Sequence, residues 1–174
     1  MDYLEDALPI TRLNHAVLYV RDLERSVAFY RDVLGFRRLD MTPEGFTGAA
    51  FLQAAGSTND HDLGLFAIGT SAGASAAGRS SVGLYHLAWE VDTLAELVRV
   101  RDLLAAHGAL VGTSDHGTTK SLYGKDPDDL EFEIAWLVPA DHLDDAALAA
   151  RKRIGRLDLD REKQRYGVAT VGGV

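Results

Sequence analysis

The 174-residue sequence contains no cysteine, which excludes disulfides, thiolate metal sites and a cysteine nucleophile. Any metal site must be built from nitrogen and oxygen donors, with His, Asp and Glu as the ligand and acid/base set. Long apolar runs are also missing. No stretch approaches the ~18 apolar residues of a membrane span, and the start, MDYLEDALPITRLNH, has neither a basic n-region nor an apolar h-region. A cytoplasmic protein with no membrane partner is the expectation. Positive charge is scarce too: 18 Lys and Arg stand against 26 Asp and Glu, a formal charge of −8. A nucleic-acid partner needs a concentrated basic surface, so none is expected. What is present is apolar material, 47% of the residues. A chain of this size buries roughly 70% of its unfolded surface, enough for a core without covalent staples.

The order of elements repeats. Leu13 to Val20 reads as a strand, and Asp22 then caps a helix whose apolar positions are Val27, Tyr30, Val33 and Leu34, stopped at Gly35. Strand-like runs follow at Phe36–Met41, Thr47–Gln53 and Leu63–Ile68, separated by Pro43-Glu44-Gly45 and Gly56–Asp60. Gly69–Ser81 is small and polar and reads as a flexible connection. The pattern then restarts. Leu84–Val91 is a strand, and Thr93 with Glu96 forms a capping box for a helix buried through Leu94, Leu97, Val98 and Leu104 and ended at Gly108. Strands at Ala109–Thr113, Ser121–Gly124 and Leu130–Leu137 complete it. His15 and His86 stand 71 positions apart, and His61 and Glu133 stand 72 apart. The expected fold is therefore α+β, with two tandem βαβββ modules, about 12–68 and 84–138 joined by a linker at 69–81, in one domain over 1–138. The modules are expected to pair as a barrel-like mixed sheet. The remainder, 139–174, is a C-terminal tail in which Asp141–Arg153 reads as a helix, acidic early and basic late. Beyond Gly155, fraying and packing on a partner subunit both remain open.

Four ionisable side chains fall within segments otherwise built for burial: His15 in LNHAVLYV, His61 in NDHDLGLFAI, His86 in LYHLAWEV and Glu133 in LEFEIAWL. A buried polar group without a partner costs on the order of 2 kcal/mol or more, so each must be hydrogen-bonded, paired or metal-bound. For any one histidine an ordinary hydrogen bond is the simpler account. Jointly they suggest more, because His15 and His86 occupy the same place in the two modules, as do His61 and Glu133. Packed about a pseudo-twofold axis, the modules would turn all four toward one cavity. Two imidazoles and one carboxylate form the facial triad of non-haem iron(II) sites, with positions left open for substrate and oxygen. Glu131 and Glu133 share a strand face by the period-two rule.

The segments HAVLYVRDLERSVAFYRDVLGF and DHGTTKSLYGKDPDDLEFEIAW carry a resemblance to the vicinal oxygen chelate superfamily, which includes glyoxalases, bleomycin-resistance proteins and extradiol ring-cleaving dioxygenases. It covers roughly Leu13 to Val138. Similarity to the extradiol dioxygenases implies His15, His86 and Glu133 as metal ligands, with the second acid of LEFE chosen because it directly precedes Ile-Ala-Trp. It implies His61 as acid/base, and His116 and Tyr123 as further catalytic residues. The implied cofactor is iron(II), with manganese(II) or another divalent ion acceptable to the same ligands. The implied partners are a catechol-type aromatic substrate, dioxygen and further copies of the chain in a homodimer or larger homo-oligomer. Glyoxalase I resembles the chain in fold but has a carboxylate where His61 stands. Bleomycin-resistance proteins lack metal ligands at these positions. The family turn Asp-Pro-Asp-Gly is replaced by Asp126-Pro127-Asp128-Asp129. His107, beside Gly108, reads as a helix cap or a solvent-facing residue, His142 as a solvent-facing residue, and Trp89 and Trp136, three residues after proposed ligands, as core.

Overall fold

The computed structural model describes residues 10–42, 44–77 and 80–173. The expected order of elements is present: β1 Ala16–Val20, α1 Leu23–Asp32, β2 Arg37–Leu39, β3 Ala49–Gln53 and β4 Leu63–Ala67, then β5 His86–Glu90, α2 Leu94–Ala106, β6 Leu110–Asp115, β7 Thr119–Lys125 and β8 Glu131–Leu137. Each module makes a four-stranded mixed sheet, ordered β1-β4-β3-β2 and β5-β8-β7-β6. β1 pairs in parallel with β4, and β5 with β8, while the remaining pairs are antiparallel. The two sheets are not closed into the barrel expected of them. β1 and β5 each lie at a sheet edge, and neither pairs with the other.

Local chemistry explains the helices. The Asp22 side chain accepts from the Arg25 N–H at 3.0 Å and Thr93 from the Glu96 N–H at 3.2 Å, so each helix begins at the anticipated cap. The capping box is half formed, because the Glu96 carboxylate takes Arg99 instead. Gly35 and Gly108 close both helices with φ of +75° and +65°, the left-handed conformation that favours glycine. α1 buries Leu23, Val27 and Tyr30 against Leu18, Val20, Leu52, Leu63 and Leu65 of the first sheet, and α2 buries Leu94, Leu97 and Leu104 against Leu122, Phe132, Ile134 and Trp136 of the second.

The modules meet through aromatic and polar contacts. Phe29 stands edge-on to Phe132 with ring centres 5.9 Å apart, and Phe36 to Trp89 at 5.1 Å. The turn before β8 is clamped to the first module: Asp128 takes the Arg21 guanidinium at 2.7 Å and the Arg21 N–H at 2.9 Å, and Asp126 accepts from the Tyr30 hydroxyl at 3.2 Å. Burial pushes both the Asp126 carboxyl and the Tyr30 phenol up from their ordinary values. Asp129 follows at φ +66°, the sole non-glycine residue with positive φ among the described residues. Asp129→Gly should relieve about 1 kcal/mol of left-handed strain and give back about half of that to unfolded-chain entropy. A net gain of about 0.5 kcal/mol in urea unfolding is expected, and a lowered midpoint at unchanged slope would show that Asp129 has a compensating contact.

The tail differs from its expected form. Instead of one helix over Asp141–Arg153 there is a 3₁₀ turn, Ala140–His142, then α3 at Asp145–Ala150. The break lies at Asp144, whose extended backbone and side chain, accepting from the Ala147 N–H, start a new helix. A further helix, α4 at Leu159–Tyr166, is capped by Asp158 and buries Leu159, Glu162 and Tyr166 on its own chain. Trp136 Nε1 donates to the Thr170 carbonyl, and the Gly172 N–H to that of Asp92, so the last residues dock on the second module. Within the connection 69–81, Arg21 Nε donates to the Ala72 carbonyl; residues 78 and 79 lie outside the described residues.

Candidate functional site

On β1, Leu18 and Val20 point to α1, so Val17 and Tyr19 take the opposite face, and His15, one residue before the strand, continues their alternation; all three are exposed. His15 Nδ1 lies 2.7 Å from Asn14 Oδ1. His61 is not on the last strand of its module as expected but in the turn two residues before β4. The Asp62 carboxylate holds that turn by accepting from Ala54 N, Ser57 Oγ and Asn59 Nδ2. This lays the buried His61 ring beside His15, with centres 4.3 Å apart, and against the edge of Phe51. His61 Nδ1 is 3.0 Å from Asp60 Oδ1, without hydrogen-bond geometry. The Asp60 carboxyl is held below its usual range by the His61 side chain and N–H.

The second module presents a related pair. Strand register sets His86 opposite Glu131 and Ala88 opposite Glu133, yet it is Glu133 Oε2 that reaches His86 Nε2, at 3.1 Å. Glu133 Oε1 accepts from Ser121 Oγ at 2.5 Å. No such pairing links His86 to Glu131 among the described residues. Tyr123 lies directly across from Glu133 on β7, its ring centre 5.9 Å from that of His86. Its hydroxyl is 3.1 Å from His116 Nε2, and Ser114 Oγ stands 2.7 Å from that nitrogen and 3.2 Å from the hydroxyl. His116 and Tyr123 thus form one cluster beside the His86–Glu133 pair. Ser114 and Ser121 escaped the sequence reading. Their signal was small hydroxyls on the same period-two face as Tyr123.

Each half offers two donors of a kind that a divalent ion accepts. His86 and Glu133 direct a nitrogen and an oxygen at one another, and His86 Nδ1 is buried without a hydrogen-bond partner among the described residues. His15 and His61 supply a second, all-nitrogen pair. Within one chain, however, the pairs stay apart: among the described residues no three His, Asp or Glu side chains converge as a metal site. The cavity expected to gather His15, His61, His86 and Glu133 is not formed inside a single copy, consistent with sheets that do not close on each other.

The β6–β7 turn that carries His116 is braced from behind. Lys120, fully buried, donates to Asp115 at 2.5 Å and to the Gly117 carbonyl at 3.1 Å, and faces Glu162 of α4 at 3.2 Å. Arg161 closes the group on Asp115 and Glu162. Gly117, at φ +76°, passes so close to α3 that a Cβ there would lie 2.3 Å from the Ala147 carbonyl oxygen. Outside this region His107 is exposed and bonds the Leu103 carbonyl at the end of α2, and His142 lies 6.4 Å from the Tyr166 ring. Trp136 is in the core and Trp89 packs against it.

Residues 12–134 match the model of the Glyoxalase/Bleomycin resistance protein/Dioxygenase superfamily. The chain belongs to that superfamily. Among curated relatives of this superfamily chain, Catechol-2,3-dioxygenase of Bacillus subtilis (strain 168) is 32% identical over 124 residues. The match takes in 71% of this chain and 41% of that protein, so the chain spans less than half of the relative's length. Solved structures share the superfamily fold. A glyoxylase/bleomycin resistance protein/dioxygenase domain from Frankia sp. EAN1pec aligns at TM-score 0.63 and 24% identity over 77% of this chain and 97% of that one. Lactoylglutathione lyase from Agrobacterium tumefaciens aligns at 0.53 and 24% over 74% and 95%. The fosfomycin resistance protein FosX from Listeria monocytogenes, solved with Mn(II) and sulfate, aligns at 0.52 and 20% over 72% and 92%. The family-model match, residues 12–134, leaves out the tail that braces the His116 turn.

Proposed function

We propose that the chain is a divalent-metal-dependent extradiol-type dioxygenase, acting in the cytoplasm on a catechol-type aromatic compound with dioxygen. The observation that carries this reading is the His86–Glu133 pair at 3.1 Å with the Ser114–His116–Tyr123 cluster on the same sheet face. It is supported by the likeness to a protein named Catechol-2,3-dioxygenase. His15, His86 and Glu133 hold the metal, with iron(II) first and manganese(II) second among the ions this donor set accepts. When bound, the ion supplies Lewis acidity toward adjacent substrate oxygens and open positions for redox chemistry.

The protein's own groups do the remaining work. His61, beside His15 and fixed by the Asp62-held turn, takes the proton of a substrate hydroxyl and later returns it, a role for which imidazole is suited near neutral pH. The Tyr123 hydroxyl and His116 Nε2 present a preorganised donor pair to substrate oxygen, and Ser114 fixes their orientation. Ser121 holds the Glu133 carboxylate from the side away from His86.

A second reading, a glyoxalase-like lyase or isomerase, is favoured by one observation: His61 lies against His15 as a fourth ligand would, with ring centres 4.3 Å apart. Anaerobic loading with iron(II), followed by oxygen uptake and product absorbance across a panel of catechols, separates the two. Oxygen uptake with a ring-cleavage chromophore is expected. Bound metal without uptake on any catechol selects the lyase or isomerase, and failure to bind any divalent metal reduces the chain to a small-molecule binding protein.

A further inference from the structure

We propose that the open face of the first module binds a carboxylate-bearing catechol, its ring lying against the sheet at Gly64 and its carboxylate taken by Arg37. The inference rests on the catechol reading proposed above and adds the second group by which the substrate is recognised. Strand register lays the subsite out. Leu39, Phe51, Gly64 and Val17 form one row across β2, β3, β4 and β1. Arg37 and Gln53 pair in the next row, two residues and about 7 Å along the strands. Both rows belong to the face that carries His15 and His61, because the alternate residues Ala50, Leu52, Leu63 and Leu65 are buried with α1.

Gly64 is the gap in the first row. A Cβ there would stand 3.4 Å from Val17, 3.5 Å from Phe66 and 3.6 Å from Phe51, ordinary contact distances, so the packing does not require a glycine. Without a side chain there, a flat ring can settle between Val17, Phe51 and Phe66. Phe51 meets His61 edge-on at 5.2 Å, and Phe66 meets Phe51 at 6.1 Å. A substrate ring in that place finds aromatic partners and has His61 beside it. Arg37 supplies the charge. Its guanidinium is drawn inward from edge strand β2: Nε donates to Gln53 Oε1 at 2.8 Å and Nη2 to the same oxygen. Gln53, itself buried, donates to the Asn59 carbonyl in the turn that carries His61. Two guanidinium N–H groups fix the position of Arg37, and three remain for a ligand. No carboxylate pairs with Arg37 among the described residues, whereas Arg38, on the opposite face, takes Glu24 of α1 at 2.9 Å. In a chain of formal charge −8, an anionic ligand needs such a local cation, and the planar fork of arginine matches a carboxylate. The spacing of the rows sets that carboxylate off the ring on a short chain.

Equilibrium binding to the full chain tests this, measured by calorimetry without oxygen and with manganese(II) present. The probes are dihydrocaffeate and its methyl ester, which share ring and chain and differ by one charge. Wild type is expected to bind the acid at least about tenfold more tightly than the ester, the worth of a charged hydrogen-bonded pair. Arg37→Gln should bring the ratio near one by weakening the acid alone, and Arg38→Gln should leave the ratio as it is. Gly64→Ala should weaken acid and ester alike, about tenfold, since one added methyl lifts the ring from the sheet. A wild type without preference for the acid, or a preference that survives in Arg37→Gln, overturns the proposal. So does an equal loss of both probes in Arg37→Gln, which would make Arg37 only a brace for the Asn59 turn, and so does undiminished binding in Gly64→Ala. Oxygen uptake with iron(II) separates the subsite from the reaction. An Arg37-dependent preference with no uptake on either probe leaves the subsite standing and refutes the dioxygenase reading; uptake on both probes without that preference does the reverse.

Discussion

His61→Ala is expected to retain the metal and lower turnover of a catechol-type substrate by about 10²- to 10⁴-fold, the usual contribution of a positioned general acid/base. The fold should survive the change. His61 sits in a turn whose geometry is held by Asp62 through three hydrogen bonds that do not involve the His61 ring, and the ring lies on the sheet face away from α1, against His15 and Phe51. Glu133→Ala supplies the contrast, since it removes the carboxylate that reaches His86 and should lose the metal together with activity. Metal content, read by elemental analysis on both variants, tells the roles apart. Full activity in His61→Ala would remove it from the mechanism. Loss of metal in His61→Ala would make it a ligand beside His15 and move the chain toward glyoxalase-type chemistry. Unchanged metal in Glu133→Ala would pass the carboxylate role to Glu131, its neighbour on the same face.

Much of this was legible in the sequence because the governing signals are local. Asp22 and Thr93 cap, Gly35 and Gly108 stop, and the alternation of Leu18 and Val20 with Val17 and Tyr19 sets which face of β1 holds His15. The choice of Glu133 over Glu131 was not local. Register alone puts Glu131 opposite His86, and it is the reach of the side chains, with Ser121 holding Oε1, that brings Glu133 to His86. The relation between modules was not legible either. The repeat announces two similar units, but whether they close on each other or leave two open faces depends on Phe29, Phe36 and the Asp126–Asp128 turn, residues whose partners lie some 50 to 110 positions away. The tail helix α4 was hidden for a similar reason. Apart from Leu159 and Tyr166, which reach the core, its residues are polar, and between those two anchors the helix buries Glu162 in an ionic cluster.

That cluster makes Lys120→Ala the most destabilising change expected, about 3–5 kcal/mol, because removing one member of a buried ionic group leaves its partners charged and unpaired. Lys120 is 1% exposed and Glu162 0%, so water cannot replace the lost ammonium. Lys120→Met keeps most of the buried stem and should recover the packing part of the loss but not the electrostatic part. Denaturant midpoints of the two variants measure both contributions, and a loss below about 1 kcal/mol in Lys120→Ala would mean that Arg161 alone suffices for Asp115 and Glu162. The pH dependence has a definite sign. Burial pushes the Asp115 carboxyl up, but Lys120, the Gly117 N–H and Arg161 outweigh it and hold the carboxyl below its ordinary value. A group with a depressed folded-state pKa adds stability above its unfolded value of about 3.9, and that stability is lost as pH falls through the folded value. The advantage of wild type over Asp115→Asn should therefore be full near neutral pH and shrink below about pH 4; an advantage that persisted to pH 2 would exclude the ion pair as its source. Because the same lysine also bonds the Gly117 carbonyl next to His116, Lys120→Met should loosen the Ser114–His116–Tyr123 cluster while leaving the His86–Glu133 pair intact, lowering turnover more than metal affinity.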